Sequence, residues 1–287
     1  MSYFPDLTVA PRRYAYARRW LRSPGASCGA LILLLTLAIT LAAPWVAPYD
    51  PLLQDIGQRL QAPSGVHWLG TDGLGRDILS RLIYGARPTL GLVGLVVVLT
   101  VPIGLTVGIL AGYYGGWIER GLMAFTDMVM AFPRLVLALA FSAVMGPGLI
   151  NCALALVLTG WPAYARLSRA ETLKMRRSDY LAAAQMQGII GVRLLFGHVL
   201  PACLPSMQIR LALDLASIVL AAAGLGFLGL GVRPPTAEWG TMIAEGSKVI
   251  FDQWWVAASP GAAVLIISFA FNLLADGLRD LSDPHHA

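Results

Sequence analysis

The chain has 287 residues, of which 57% are hydrophobic and only 13% are charged, and its mean hydropathy is +0.67. This composition excludes an ordinary soluble domain and predicts a helical membrane protein, because lipid cannot satisfy free backbone donors and acceptors. The formal net charge of +5 comes without a basic and aromatic patch suited to nucleic acid, so no nucleic-acid partner is expected.

Six apolar segments are long enough to cross a bilayer core, which takes roughly 20 residues. They are 26–47, 90–112, 121–145, 149–164, 204–230 and 255–274, and the fourth is the shortest. Pro133 is expected to kink the third segment, because a proline inside a helix removes a backbone donor. The predicted fold class is all-α, a polytopic membrane protein with six transmembrane helices.

The basic residues predict the orientation of these segments, since Lys and Arg near span ends are retained in the cytoplasm. Placing both termini inside puts about twice as many basic side chains on the cytoplasmic side as outside. The chain then divides into a cytoplasmic tail (1–25), a first span with a long periplasmic loop (26–88), a five-helix core (89–280) and a C-terminal tail (281–287). No cleavable signal is expected, because the start is polar and Arg-rich. That start is either a plain topogenic tail or an interfacial helix attracted to anionic lipid.

The two outside loops carry most of the remaining chemistry. The first, 48–87, contains HWLGTDGLGRDILSRLIYGAR, in which 76–82 is expected to form a short interfacial helix. Asp72 and Asp77 lie among basic residues, which favours a local ion-pair network over an acid and base couple. The second, 231–254, contains RPPTAEWG, whose prolines must break the preceding helix, and Trp239 suits a half-wet membrane interface.

The sequence gives little support for a catalytic site or a metal site. No Gly-Lys pair exists, hence no phosphate-binding loop, and any ATP must be bound by another chain. His67 and His198 are expected on opposite sides of the membrane, and the terminal His285 and His286 are a weak metal signal. The three cysteines lie in or beside apolar segments, and no disulfide framework is expected. We expect no enzyme, metal site or cofactor in this chain itself.

Four charges within the predicted spans need a reason, since each costs at least ~2.5 kcal/mol. Arg210 and Asp214 are four residues apart and are expected to pair on one helix face. Asp127 serves either as a helix anchor or as a substrate contact. The residues expected in a translocation path or gate are Asp127, Pro133, Arg134, Arg210 and Asp214. Glycines at close spacing, such as Gly104, Gly108 and Gly112, either pack helices or line that path.

The polar stretch 178–201, SDYLAAAQMQGIIGVRLLFGHVLP, interrupts the apolar chain. It predicts two short helices hinged at Gly188, the first capped by Ser178 or Asp179 and the second ended by Pro201. The alanines at 182–184 leave backbone open to close approach, and four larger residues offer apolar anchors. These anchors are Tyr180, Leu181, Leu194 and Leu195. A soluble partner can dock there, or the stretch can lie on its own protein.

At these residues the sequence resembles the inner-membrane permease subunits of bacterial ABC importers, whose cytoplasmic loop carries Glu-Ala-Ala, then Gly, then Leu-Pro. The matching positions are Ala182, Ala183, Ala184, Gly188, His198, Leu200 and Pro201. Ala182 departs from the family's Glu, which removes one polar contact. The stretches AGYYGG, FLGLGVRPPTAEWGTMI and FNLLADGLRDLSDP are similar to the dipeptide, oligopeptide and nickel group, specifically its second permease.

The resemblance implies a type I importer permease in the bacterial inner membrane, paired with a homologous permease, two ATPases that bind ATP and Mg, and a periplasmic binding protein. The implied ATPase-coupling residues are Asp179, Tyr180, Leu181, Ala182, Ala183, Ala184, Gly188, His198, Leu200 and Pro201. The implied binding-protein contacts are Asp72, Arg76, Asp77, Arg81, Glu238 and Trp239. Substrates would be di- or oligopeptides or related solutes, with nickel or a metal chelate as the alternative. A stand-alone secondary carrier is less favoured, because it needs several midplane ionisable groups and only Arg134 is expected there.

Overall fold

The computed structural model describes residues 24–282 and shows helices joined by two irregular segments. In chain order the α-helices are α1 (Pro24–Leu41), α2 (Ala43–Val46), α3 (Ile78–Tyr114), α4 (Gly116–Met130), α5 (Arg134–Met145), α6 (Leu149–Arg176), α7 (Asp179–Met186), α8 (Val192–Leu194), α9 (Leu200–Phe227), α10 (Trp239–Ser247) and α11 (Trp255–Ser282). The Arg-rich start, the terminal histidines and nearly all of the two predicted tails lie outside the described residues. Within those residues no strand forms, which confirms the all-α prediction.

Within residues 24–282, four helical stretches are long and apolar enough to cross a membrane, or five if a bent pair is one span. They are Pro24–Leu41, Ile78–Tyr114, Val192–Phe227 and Trp255–Arg279, and the bent pair is α4 with α5. The fourth predicted span lies at the start of α6, outside this apolar set, since charged residues from Arg166 onward share that helix. Six spans were predicted, and the structure supports four or five by length and composition.

Among the described helices, the most extensive contact is the parallel seam between α3 and α6. Gly104, Gly108 and Gly112 face this seam, and a Cβ at Gly112 would lie 2.7 Å from the Thr172 Cβ. The Ser168 hydroxyl crosses it to donate to the Gly104 carbonyl oxygen at 3.1 Å. The sequence left open whether these glycines pack helices or line a translocation path, and the structure shows that they pack helices.

The helix α3 begins earlier than the sequence predicts. Asp77 caps it by accepting from the Ser80 N–H at 2.8 Å, so the helix starts at Ile78 and continues through Pro88 and Pro102. The prediction of a separate interfacial helix at 76–82 is therefore wrong, because residues from Ile78 onward supply the first turns of α3.

The loops 47–77 and 228–254 meet at the end of the bundle where α3 begins, and we call them together the cap.

The third predicted span is broken. The helices α4 and α5 meet at an angle of 88°, and Pro133 is the N-cap residue of α5. Proline cannot donate a backbone hydrogen bond, so the first helix ends before it and the second begins after it. The predicted kink at Pro133 is confirmed.

Opposite the cap lies the elbow, which we define as residues 178–199. Its first helix, α7, ends at Met186, and Gly188 follows as the predicted stop residue, with a φ of +80°. Gly188 N donates to Gln185 O at 2.9 Å and Ile189 N donates to Ala184 O at 3.1 Å, the two bonds of a Schellman cap. Pro201, however, does not end the second helix, because it lies in the first turn of α9, which continues to Phe227. A π-helical turn, Leu195–Val199, joins α8 to α9 without a break.

We expect Gly108→Ala to destabilise the protein by about 1 to 3 kcal/mol, because the added methyl group meets the Ala165 carbonyl and the Ser168 hydroxyl of α6. Gly94→Ala in the same helix is the control, since a Cβ there meets nothing within 4 Å. Thermal unfolding of both variants in detergent measures the difference. Equal melting temperatures would show that the seam is not tightly packed.

Candidate functional site

The elbow is held in a defined shape by three local contacts. Ser178 caps α7 by accepting from the Leu181 N–H at 3.4 Å, as predicted. The Tyr180 hydroxyl and His198 Nδ1 lie 2.7 Å apart and tie α7 to the π-helical turn. Together with the Schellman cap at Gly188, these contacts fix the angle between the two arms of the elbow.

The apolar residues of the elbow divide into an inner and an outer face. Leu181 (1% exposed), Leu194 and Leu195 are buried against α3, α6 and α9. The prediction that these leucines anchor a partner is therefore wrong, since they hold the elbow to its own bundle. Tyr180 is exposed and stays available.

Four other apolar side chains face solvent. Met186 is 90% exposed and Phe196 is 67% exposed, and Ile190 and Val192 are similarly open. We call these four residues with Tyr180 the elbow ridge. Val192 and Phe196 are four residues apart, so their shared face was readable from spacing, whereas the choice between inner and outer face needed the structure.

The remaining positions of the coupling motif are split between the same two faces. Asp179, Ala182, Ala183, Gly188 and Pro201 are exposed, His198 and Leu200 are half-buried, and Ala184 is buried. Ala182 presents a methyl group where the family pattern places a carboxylate. The outer face of the elbow is therefore mainly apolar.

The cap is braced by an ion-pair network in which Asp72, Arg76 and Arg81 are buried and Glu245 is 38% exposed. Asp72 accepts from Arg76 Nε at 2.7 Å and pairs with Arg81, and both guanidiniums reach Glu245 at 3.0 and 2.8 Å. The predicted network is confirmed for these residues. Glu245 belongs to α10, more than 160 residues along the chain, and no local sequence pattern pointed to it.

Two other charged residues of the first loop bond elsewhere. Arg87 donates to the Thr40 carbonyl oxygen at 3.0 Å, and Asp77 pairs with His67 at 2.9 Å. The six predicted binding-protein contacts are only 2–4% exposed, which corrects the idea that their side chains form a docking surface. They build the interior of the cap.

Trp239 and Glu238 show how the second loop joins this interior. The Trp239 indole donates to the Leu82 carbonyl oxygen at 2.9 Å and packs against Gly85, so its predicted place in a half-wet interface is wrong. Glu238 caps α10 by accepting from the N–H groups of Gly240 and Thr241 at 2.8 and 2.9 Å. Burial raises the pKa of Glu238 above its ordinary value of 4.5, and the cap bonds partly offset this.

The second charged group lies within the bundle. Arg210 pairs with Asp214 at 3.2 Å, as the spacing predicted, and Arg134 Nη1 lies 3.6 Å from the same oxygen. Tyr164 is fully buried beside Asp214. We call Arg134, Tyr164, Arg210 and Asp214 the midspan cluster. Because α9 starts at Leu200, Asp214 falls halfway along this helix.

Asp127 does not join this cluster. Its carboxylate pairs with Arg166 at 2.7 Å, and both side chains are about half exposed. A second pair, Glu119 with Arg169, makes the same connection between α4 and α6. These pairs tie α4 to α6, as the anchoring interpretation of Asp127 expects.

Comparison with known proteins identifies the architecture. Residues 104–286 match the family of binding-protein-dependent transport system inner membrane components, and residues 13–63 match the N-terminal TM domain of oligopeptide transport permease C. The chain belongs to this permease family. Within it, the permease falls in the dipeptide, oligopeptide and nickel group of ABC importers, and it is a non-catalytic, multi-pass inner-membrane subunit.

Three relatives illustrate this group. The permease is 43% identical to the di/tripeptide transport system permease protein of Pseudomonas aeruginosa, over 98% of this chain and 94% of the relative. It is 42% identical to the probable D,D-dipeptide transport system permease protein of Escherichia coli K12, covering 91% and 88%. It is 41% identical to the nickel transport system permease protein of the same strain, covering 89% and 93%.

Solved structures share the fold at low identity. The inward-facing MetNI methionine ABC transporter superposes with a TM-score of 0.56 at 17% identity, over 72% of this chain and 98% of that one. An amino acid ABC transporter crystallised with histidines gives 0.54 at 17% identity, over 69% and 92%. The type I importer permease fold predicted from the resemblance is confirmed.

We expect Glu238→Gln to flatten the pH dependence of stability. A raised folded pKa means that the native state binds this proton more tightly, so the contribution of Glu238 is present below the unfolded pKa and is lost as pH rises through the folded pKa. Melting temperatures of the permease and the variant between pH 4 and 8 check this. The wild type should lose stability relative to the variant as pH rises, and parallel profiles would contradict the effect.

Proposed function

We propose that this permease is one transmembrane subunit of an ATP-driven importer that carries di- or oligopeptides or related small solutes inward. Its partners are a homologous permease, two ATPase subunits that bind ATP and Mg, and a periplasmic binding protein. The observation that carries the proposal is the elbow ridge, an exposed apolar surface on a chain that has no phosphate-binding loop of its own.

The elbow ridge has the chemistry of a docking surface. Met186, Val192 and Phe196 lie in water on a short helical projection whose inner face is firmly packed. Exposed apolar patches of this kind mark interaction sites, and a small amphipathic projection fits into a groove of a partner. Because position 182 is alanine, the contact with the ATPase rests on shape and apolar burial more than on an ion pair.

Coupling then follows from continuity of the backbone. The arm that carries Phe196 runs through the π-helical turn into α9, which holds Arg210 and Asp214. Closure of the ATPase pair displaces the elbow, and α9 transmits that displacement as a rigid-body movement. Each state is stabilised by the contacts that the elbow makes with the ATPase in that state.

The cap receives the binding protein on its exposed face. The ion-pair network of Asp72, Arg76, Arg81 and Glu245 braces the two loops, while Trp68 and Phe251 project from them into solvent. We place the cap in the periplasm, and the elbow and both termini in the cytoplasm. Membrane lipid is a further partner of the permease.

Substrate choice divides the group. Two of the relatives described above are named for peptides and one for nickel, so peptide import is our first proposal and import of nickel or a metal chelate is the alternative. A stand-alone carrier remains the weaker proposal even though ionisable groups meet in the midspan cluster, because the family works with binding proteins. Reconstituted uptake of labelled dipeptide and of nickel, each with its binding protein, separates these proposals.

We expect Phe196→Glu to abolish copurification of coexpressed ATPase subunits and to lower ATP-driven peptide uptake at least tenfold, because a buried charge replaces an apolar contact. Phe251→Glu on the cap is the matched control for ATPase copurification alone, since it makes the same change on an exposed phenylalanine far from the elbow. Copurification is measured for both variants, and uptake in proteoliposomes is compared between Phe196→Glu and the unchanged permease. ATPase binding that survives Phe196→Glu, or uptake by the permease without ATPases, would refute the assignment.

We expect Gly188→Val to reduce uptake strongly, while Gly188→Asn keeps most of it. The position has a φ of +80° and open space around a Cβ, so backbone strain rather than a clash decides the outcome. Asparagine tolerates this conformation, whereas a β-branched residue does not. Uptake per inserted molecule, together with ATP hydrolysis, measures the effect, and equal activity of the two variants would contradict it.

A further inference from the structure

The midspan cluster carries more positive than negative charge. Arg134 and Arg210 both approach one oxygen of Asp214, at 3.6 and 3.2 Å, and no other carboxylate of the described chain lies within 4 Å of either guanidinium. The Asp214 side chain is buried, whereas those of Arg134 and Arg210 are 33% and 40% exposed. One cationic charge therefore lacks a counter-ion, and both arginine side chains are partly accessible to a ligand.

Several donors of this cluster have no acceptor. Arg134 Nε and Nη2, Arg210 Nε, the Tyr164 hydroxyl and the acceptor Oδ2 of Asp214 are buried atoms without a hydrogen-bond partner among the residues that the structure describes. Tyr164 is 1% exposed, and its hydroxyl faces Asp214. Unpaired donors of charged groups are costly, so the arrangement is incomplete as it stands.

A broken helix adds to the same positive field. Arg134 is the first residue of α5, which starts after the 88° break and has no side-chain cap. Its first helical bond runs from Leu137 N to Pro133 O, so the N–H groups of the first turn have no partner within the helix. Such a helix end attracts anions, and here it coincides with two guanidiniums.

The location makes the excess charge informative. Asp214 lies halfway along the 28-residue helix α9, roughly 20 Å from either end at 1.5 Å per residue. A charge at this depth is expensive, and neutralising Asp214 requires only one arginine. The second arginine then costs free energy without a structural compensation, unless an anionic group binds in the cluster.

We propose that the midspan cluster binds the carboxylate of a solute during its passage through the permease. Arg134 and Arg210 donate to the two carboxylate oxygens, and the first turn of α5 and the Tyr164 hydroxyl complete the shell. The inference rests on the proposed import function and narrows its substrate class. Solutes with a free carboxylate, such as peptides or carboxylate chelates of a metal, are favoured, and a bare hydrated divalent cation is repelled.

Uptake by the complete transporter tests this, using trialanine and its C-terminal amide as the two solutes. The binding protein selects each solute in the same way for the wild-type permease and the variant. This selection therefore cancels when the uptake rate of each variant is divided by that of the wild type. We expect Arg210→Gln to lower trialanine uptake about tenfold, the size of one charge-assisted hydrogen bond, and to lower trialaninamide uptake less than twofold. Arg120→Gln, at an exposed position on α4, is the control for the charge change. Equal losses for both solutes would overturn the proposal.

A binding measurement separates this inference from the import function itself. Trialanine at millimolar concentration should raise the melting temperature of the purified complex without ATP, trialaninamide should not, and Arg210→Gln should remove the shift. A carboxylate-specific shift without ATP-driven uptake would refute import and keep the site. A shift that is equal for both solutes, or that survives Arg210→Gln, would overturn the site. The site would also be overturned if Arg210→Gln separated the two permeases and no carboxylate-specific shift were found. The missing anion would then belong to the second permease.

Discussion

Close contact between α3 and α6 determines how the rest of the permease is arranged. The three glycines on α3 let the two backbones approach, and in lipid such contact replaces the hydrophobic driving force that water supplies elsewhere. One buried cluster lies near the cap, and a second lies near the elbow. Because α6 ends at Arg176, two residues before the elbow starts, the seam also fixes where the elbow leaves the bundle.

Burial of charge serves two different ends in this molecule. In the cap, Asp72, Arg76, Arg81 and Glu245 pair as two acids and two bases, so the charge of the network is balanced and its task is bracing. In the midspan cluster the same kinds of side chain are out of balance by one charge. Since removing ions from water is costly in both places, the imbalance rather than the burial marks a binding function.

The sequence was sufficient for features that depend on neighbouring residues. The Schellman cap at Gly188, the Ser178 cap, the break at Pro133 and the Arg210 to Asp214 pair all follow from local spacing. It failed where the outcome depends on distant contacts. Trp239 is as suitable for a membrane interface as for a core, and only its bond to Leu82 decides between them.

The same limit applies to helix ends and faces. The start of α3 at Ile78 depends on the Asp77 cap, and a hydropathy pattern placed the span twelve residues later. In the elbow, Leu194 and Phe196 are equally apolar, yet one is buried and the other is exposed. Apolar periodicity shows that two faces exist, but the face that meets the bundle is set by packing against α3, α6 and α9.

The unbroken path from α8 through the π-helical turn into α9 has a consequence for how this chain can vary. From Phe196 to Asp214 the backbone is helical for 18 residues, roughly 27 Å, and each residue turns the helix by about 100°. Loss or gain of a single residue between Leu200 and Asp214 would swing Asp214 away from Arg134 while the elbow kept its place. The spacing between the two sites is thus a fixed length, and the turn at 195–199, with its wider winding, is the part of that length that can absorb an insertion.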